Sequence, residues 1–456
     1  MSSLINNALS GTLAAQASLN TTSQNIANLQ TKGYTRQGVL LNSIAPANGT
    51  TGAGFGVKVS GLLRYSDAYK TQQLWRANTD MAQYTQAQPY LTQLEQVMGD
   101  ATAGLSVGID NFFKALNAVG VDPTSTPLRG QVVHTAEALA QNINSIYQLT
   151  RTQQLSIVQQ RESVVPQFNT LTATIATLNK RITEASSLGT NPSALIDERD
   201  RAIDSLSELA ALEVIEQSDG TSTVSLRTGQ PLVVAGVAAK MVVATGSTLE
   251  INFGNNSFAL DDTRMGGRLG GIGKMEKETL LPLQASLLDL AEQVTTMVNT
   301  QHAAGFTLGP PPVAGGDIFQ FNGGGTGGIM SLVPGFTSTD LAFSSDGTPG
   351  DSGNLQLLVD LKNQTVTLDS VGTVILGDAD TQLVGKLAVE SKQNQALIKT
   401  STTIRQQAED DWASTSSVNK DEEAVNLVEF QNMYQANMKV LAVANNLFDA
   451  TLAMFN

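Results

Sequence analysis

Near the end of the chain Leu427, Tyr434, Leu441, Phe448 and Phe455 recur at intervals of seven without a miss. Phe430, Met438 and Leu452 stand three or four residues away on the same side, and Asn437 and Asn445 interrupt the run. This spacing predicts one long helix with a broad, aromatic apolar seam. Such a face is stable in water only when another surface covers it. The search for that covering surface constrains the rest of the fold.

The other end of the chain offers one. Over residues 4–29, Ile5, Ala8, Leu9, Ala15, Leu19 and Ile26 project within about a third of a turn of a helix. The remaining positions are mostly Ser, Thr, Asn and Gln, no ionisable side chain precedes Lys32, and Gly33 is a helix stop. Gly11 and the many Asn and Thr residues lower intrinsic helicity, so this segment is marginal alone. A small stripe interdigitates with a large one, and the two termini are therefore expected to pair as a helical hairpin or coiled coil. Charge agrees: residues 1–36 hold only Lys32 and Arg36, while residues 420–456 hold five acids against Lys420 and Lys439. A helix facing water normally carries Lys and Glu. An uncharged one is read as loose in the monomer and ordered on assembly.

Between the ends, residues 37–65 look extended around a Gly-rich turn, and 66–214 are helical with breaks near DPTSTP and GTNPS. Residues 214–262 are rich in Val, Thr and Gly turns and read as strands. Helix returns at 275–301, residues 305–354 read as a long irregular Gly/Pro-rich excursion, 364–376 as a short strand-like piece, and 380–456 as helix. The expected fold class is mainly α with a smaller β domain, built from discontinuous nested domains. Residues 1–36 with 420–456 form a terminal coiled-coil assembly domain. Residues 37–213 with 264–419 form a helical-bundle middle domain, and 214–263 a small outer β domain.

Composition narrows the function. The chain has 456 residues, a net charge of −14 and only 15% charged residues, with a pI near 4.6. Phosphate binding needs clustered Lys and Arg, so nucleic acid is not an expected partner, nor is an anionic membrane surface. No run reaches the roughly 18 apolar residues of a membrane helix, and membrane insertion is not expected. The start MSSLINNALSGTLAAQ lacks a basic region and an apolar core, so no cleaved signal peptide is expected. Cysteine is absent, which removes disulfides, thiolate nucleophiles and Cys-based metal sites.

Catalytic patterns are missing as well. His134 and His302 are the only histidines and are read as satisfied or exposed rather than as zinc ligands. No Ser sits in a G-x-S-x-G elbow. GGRLGGIGK (266–274) resembles a phosphate loop superficially, but Arg268 stands where Gly is required and Met275 where a hydroxyl is required. The box ALIDERDRAIDSLSEL (194–209), with Asp197 and Arg201 four apart, reads as a solvated, salt-bridged helix face. No metal, cofactor or catalytic residue is assigned, and no enzyme activity is expected.

Four stretches together carry a family resemblance. SSLINNALSGTLAAQASLNTTSQNIANLQTKGYTRQ (2–37), with Asn25, Asn28, Gly33, Tyr34, Thr35 and Arg36, is similar to the start of the flagellar axial proteins. ALIDERDRAIDSLSEL, LGGI (269–272) with NTQHAAGF (299–306), and VNKDEEAVNLVEFQNMYQANMKVLAVANNLFDATL (418–452) extend the likeness over essentially the whole chain. Rod, hook and junction proteins share the terminal motifs. The central blocks resemble the hook-associated protein 1 family of the hook–filament junction. Larger members carry a further β domain after the AGF segment, where this chain has only its Gly/Pro stretch.

The resemblance implies a tubular lattice of stacked subunits whose paired terminal helices form the inner wall. It implies hook protein below, a second junction protein or filament subunits above, and an export chaperone at the C-terminal helix. It also implies an extracellular place in the flagellum, reached by type III export without a cleaved signal. The assembly interface would then comprise Ile5, Leu9, Leu19 and Ile26 with Leu427, Phe430, Tyr434, Leu441, Phe448, Leu452 and Phe455. The Gly33-Tyr34 corner would be a hinge, since Gly permits positive φ and Tyr offers an anchor with a polar tip. Another rod or hook axial protein remains the near alternative, and a secreted type III tip or translocator protein the more distant one. The latter usually carries an apolar membrane-inserting hairpin, which is missing from this sequence.

Overall fold

The computed structural model describes residues 2–45, 54–100, 104–244, 246, 248–323 and 328–454. The first helix, α1 (Ser2–Ala27), is followed by an antiparallel hairpin, β1 (Gln37–Ser43) and β2 (Val57–Arg64). The next helices are α2 (Ala68–Met98), α3 (Leu105–Val119), α4 (Thr126–Ser187) and α5 (Ser193–Leu209). Seven short strands come next: β3 (Leu212–Glu216), β4 (Ser222–Leu226), β5 (Pro231–Val234), β6 (Val237–Ala238), β7 (Lys240–Val243), β8 (Leu249–Phe253) and β9 (Asn256–Leu260). They form two antiparallel sheets, β3-β4-β5-β6 and β7-β8-β9. The chain returns to helix in α6 (Gly267–Lys274), which runs through a widened turn at Met275–Leu280 into α7 (Leu281–Ala303). The mainly helical fold class with a smaller β part is the observed one.

The Gly/Pro-rich stretch is less irregular than its composition suggests. It holds a hairpin, β10 (Phe319–Phe321) with β11 (Met330–Leu332), and Phe306 bridges both Ala314 and Ser344. Arg129 organises this region from α4, donating to the carbonyls of Pro123 (3.0 Å), Ser338 (2.9 Å) and Leu341. Beyond it lie α8 (Gly353–Asp360), the hairpin β12 (Thr365–Leu368) and β13 (Gly372–Ile375), α9 (Ala379–Ser416) and α10 (Lys420–Ala453).

The 62 residues of α4 form a rod about 90 Å long at 1.5 Å per residue. Two apolar cores sit along it. One gathers Leu94, Phe112, Ile143, Leu287, Phe319 and Leu383 from α2, α3, α4, α7, β10 and α9. The other joins Phe168 and Ile175 of α4 and Ile203 of α5 to Val224, Leu232 and Ile251 of the sheets. The strands thus share their core with α4, α5 and residues of α2 and α6, and the first of them begins at Leu212, ahead of the expected 214. Alternate positions of β4 and β8 point inward, which is why Val224 and Ile251 are buried.

Between the cores Arg161 is buried and donates to Asp262 Oδ2 at 2.8 Å and Glu276 Oε2 at 2.5 Å. Lys277 Nζ lies 2.7 Å from Asp262 Oδ1. The glycine-rich segment 266–274 is helix rather than phosphate loop. A Cβ on Gly271 would lie 2.4 Å from the Gln83 carbonyl oxygen of α2, so the residue is small because two helices touch there. Removing a buried cation leaves two carboxylates with too few donors. Arg161→Met should lower stability by about 3–5 kcal/mol, measured as an earlier urea midpoint by circular dichroism.

Candidate assembly interface

The two ends of the chain meet. Helix α10 starts with a cap in which Asn419 Oδ1 accepts from the Asp421 N–H at 2.9 Å. Three acids follow in its first turn, where the helix dipole favours them. Asn25 of α1 lies beside Glu423, and Gly11 lies against Asn437. The two helices therefore run antiparallel. A Cβ on Gly11 would come within 2.5 Å of the Asn437 carboxamide, so glycine sets the closeness of this approach.

Contact is made by the small residues. Ala8, Thr12, Ala15, Ser18, Thr22 and Asn25 of α1 are buried. Opposite them Glu423 and Ala444 are buried, and Phe430, Tyr434, Asn437, Leu441 and Thr451 half-buried. The seam thus centres on the row 423-430-437-444-451, one position round from the row read in the sequence. Of the expected interface residues, Ile5, Leu19, Phe430, Tyr434 and Leu441 are half-buried, while Leu9, Ile26, Leu427, Phe448 and Leu452 remain exposed. Phe455 lies outside the described residues. The large side chains are displaced because the buried face of α1 offers mainly Ala, Gly, Ser and Thr to pack on.

At the C-terminal end of α1 the motif residues converge. Asn28 Nδ2 donates to the Gln24 carbonyl at 2.9 Å and closes the helix end. Gly33 takes φ +73°, a left-handed conformation costly for other residues, and turns the chain toward β1. Asn25 then uses its whole carboxamide. Its oxygen accepts from Tyr34 OH at 3.0 Å and Gln37 N at 3.1 Å. Its nitrogen donates to Gln37 O at 2.8 Å and Glu423 Oε1 at 3.1 Å. Burial, aided by the negative charges of Asp197 and Glu423, pushes the Tyr34 phenol up to about 12, so it stays a donor. Arg36 pairs with Glu422, lies 4.6 Å over the Tyr65 ring, and its N–H donates to Ser416 O at 2.8 Å.

The acidic box also belongs to this joint, contrary to its reading as a solvated face. Asp197 and Arg199 are buried. Asp197 accepts from the Thr35 N–H at 3.1 Å and from Arg64 Nε at 2.9 Å, and Arg64 reaches Asp200 at 2.7 Å. Burial alone would lower the Arg64 pKa, but Asp200 and Asp197 raise it. Arg201 meets only the backbone carbonyl of Asp197, at 3.3 Å, so the expected carboxylate pair is absent. On the opposite side Arg199 donates to the Gly220 carbonyl at 2.7 Å and ties α5 to the β3–β4 turn. A composition of alternating charges looks identical whether it faces water or opposing polar groups, so the sequence carried no signal of this burial.

His302 is buried, with Nδ1 2.5 Å from the Gly316 carbonyl and Nε2 accepting from the Ala342 N–H at 2.8 Å. Burial lowers its pKa, so it serves as a neutral loop fastener. His134 is exposed. Among the described residues there is no cluster of three His, Cys, Asp or Glu able to hold a metal, and no helix long and apolar enough to cross a membrane.

Comparison with known proteins accords with this geometry. Residues 91–319, half of the chain, match the family described as the flagellar hook-associated protein FlgK helical domain. The chain belongs to the flagellar hook-associated protein FlgK family. Residues 413–454, covering all of α10, also match the C-terminal segment of the flagellar basal body rod FlgEFG proteins. Flagellar hook-associated protein 1 of Escherichia coli (strain K12) is 28% identical across 99% of this chain and all of its own length. That alignment has 552 positions for a chain of 456 residues, so parts of the relative have no counterpart here. The namesake of Bacillus subtilis (strain 168) is 26% identical over 96% of this chain and 95% of its own. A solved structure of the flagellar hook junction protein FlgK from Burkholderia pseudomallei is 31% identical with a TM-score of 0.50. That match covers 55% of this chain and 47% of the other, under half of its length. The family is a structural component of the flagellum and not an enzyme family.

Two substitutions probe the joint. Asn25→Ala strands the Gln37 N–H and the Glu423 carboxylate and should cost on the order of 3 kcal/mol. Gly33→Val forces a β-branched residue to positive φ and should cost about 1–3 kcal/mol. Both should speed amide exchange in residues 25–37 while leaving the two cores protected.

Proposed function

We propose that this chain is a junction subunit that joins the flagellar hook to the filament and polymerises through α1 and α10 into a tubular lattice. The observation that carries this reading is the incompleteness of the terminal pair. Its seam buries small side chains, while Leu9, Leu13, Val425, Phe448 and Leu452 stay in water. Scattered exposed apolar residues are ordinary, but these crowd onto two paired helices. Neighbouring subunits would cover them, so Ile5, Leu9, Leu19 and Ile26 with Leu427 to Phe455 remain the proposed interface. In this reading 1–36 with 420–456 is the assembly domain, the helical body is its spacer, and 214–263 projects outward.

The same reading assigns hook protein as the lower neighbour and a second junction protein or filament subunits as the upper one. It assigns export by the flagellar type III pathway without a cleaved signal, with a chaperone on α10. An uncharged α1 suits both needs, because it packs on siblings without burying unpaired charge and would line a channel for chains of either sign. A rod or hook axial role is the alternative, supported by the rod-type match of residues 413–454. The hook-associated match of residues 91–319 favours the junction.

Immunogold labelling of sheared flagella should place the protein at the hook-proximal end of filaments; label along the rod or hook would favour the alternative. Gln16→Lys with Asn20→Lys, on the exposed side of α1, should reduce export of filament subunits several-fold. Unchanged export would count against the channel-lining role.

A further inference from the structure

The hairpin β1–β2 has more apolar surface than its own molecule covers. It lies against α1, where Asn7 Nδ2 donates to Gly54 O at 3.1 Å and the Val57 N–H donates to Ser10 Oγ at 3.2 Å. Paired residues of an antiparallel ladder share a face. One face therefore carries Leu41 with Val59 and Val39 with Leu62; the other carries Leu40, Leu63 and Lys58, which pairs with Asn42. Leu40, Leu41, Val59, Leu62 and Leu63 are all exposed, Leu40 at 47%. A two-stranded ribbon wet on both faces is marginal by itself and presents an edge to be covered.

A matching surface exists on α10. Besides the seam that meets α1, this helix bears a second apolar stripe about 120° further round. Val425, Val428, Val440, Val443 and Leu447 lie on it, all exposed. Glu429 sits within the same stripe and is also exposed, as is Lys439 ten residues further along. The two segments differ in net charge. The first 65 residues contain four cations and no acid, the first acid being Asp67, whereas residues 420–454 contain five acids and two lysines. Arg36 and Arg64 are spent on Glu422, Asp197 and Asp200. Lys58, exposed on β2, has no ion pair among the described residues.

We infer that the β1–β2 hairpin of one copy docks on the outer stripe of α10 of a second copy, with Lys58 facing Glu429. The two surfaces are different patches, so the contact is head-to-tail and propagates instead of closing as a dimer. The proposal rests on the reading of the chain as a polymer subunit and assigns a surface to that polymer which the terminal seam does not include.

The absence of native cysteine makes the test direct. Two full-length chains, one Leu63→Cys and one Val443→Cys, are purified, mixed at high concentration and treated with a short bismaleimide; Leu63 shares the ribbon face of Lys58. A cross-linked species containing one of each chain is expected, well above the yield when Thr177→Cys on α4 replaces Val443→Cys. Lys58→Glu in the first chain should cut the yield about tenfold, and Glu429→Lys in the second should restore it. Equal yields with Thr177→Cys, no mixed species, or indifference to both charge changes would overturn the contact. All substituted positions are exposed, so failure to fold does not confound the result. Location on the flagellum is unaffected by this readout, so the junction reading and the hairpin contact can fail separately.

Discussion

The carboxamide of Asn25 sits where the beginning and the end of the chain have to agree on a register. It faces Glu423 across 398 residues of sequence, and with the same group it holds Tyr34 and the backbone of Gln37. One buried side chain thereby sets three relations: where α1 stops, how the chain leaves it, and which turn of α10 lies alongside. Buried polar groups are costly unless fully paired, so the arrangement is stringent. An alternative register of the helix pair would strand several donors at once. The apolar seam cannot supply this discrimination, since Ala, Ser and Thr look much alike to a sliding helix.

From this knot the specification passes into the body through α5. Asp197 and Asp200 receive the corner and the hairpin root, while Arg199 on the far side receives the β3–β4 turn. In the proposed lattice, a subunit would carry load between its terminal helix pair and the rest of its body. A chain of buried, charge-assisted contacts is a stiffer path for that load than a flexible loop would be. The long rod α4 then carries the geometry across both apolar cores, and Arg161 fastens them to each other through Asp262 and Glu276.

Much of the architecture was readable in advance, for identifiable reasons. Long periodic segments such as α10 declare themselves because an unbroken heptad fits the helical repeat and not the two-residue repeat of a strand. The Val- and Thr-rich run became strands because nearly every turn carried Gly. The interface residues were less legible. Leu427 and Phe448 dominate any hydrophobic reading, yet they are exposed. Ala8, Ser18 and Thr22 contribute little to such a reading and are buried. A pattern weighted by side-chain size is drawn to the largest residues, whereas a close helix approach selects the smallest.

By itself the sequence determined the helical and extended segments, the uncharged first helix and the complementarity of the two ends. These are properties of composition and spacing along one dimension. Tertiary structure alone decided which side of α10 meets α1, that Asp197 and Arg199 are interior, and that a second stripe and the hairpin are left uncovered. Each of these depends on what lies opposite a side chain, and a hydrogen-bond partner 398 residues away leaves no mark on local periodicity.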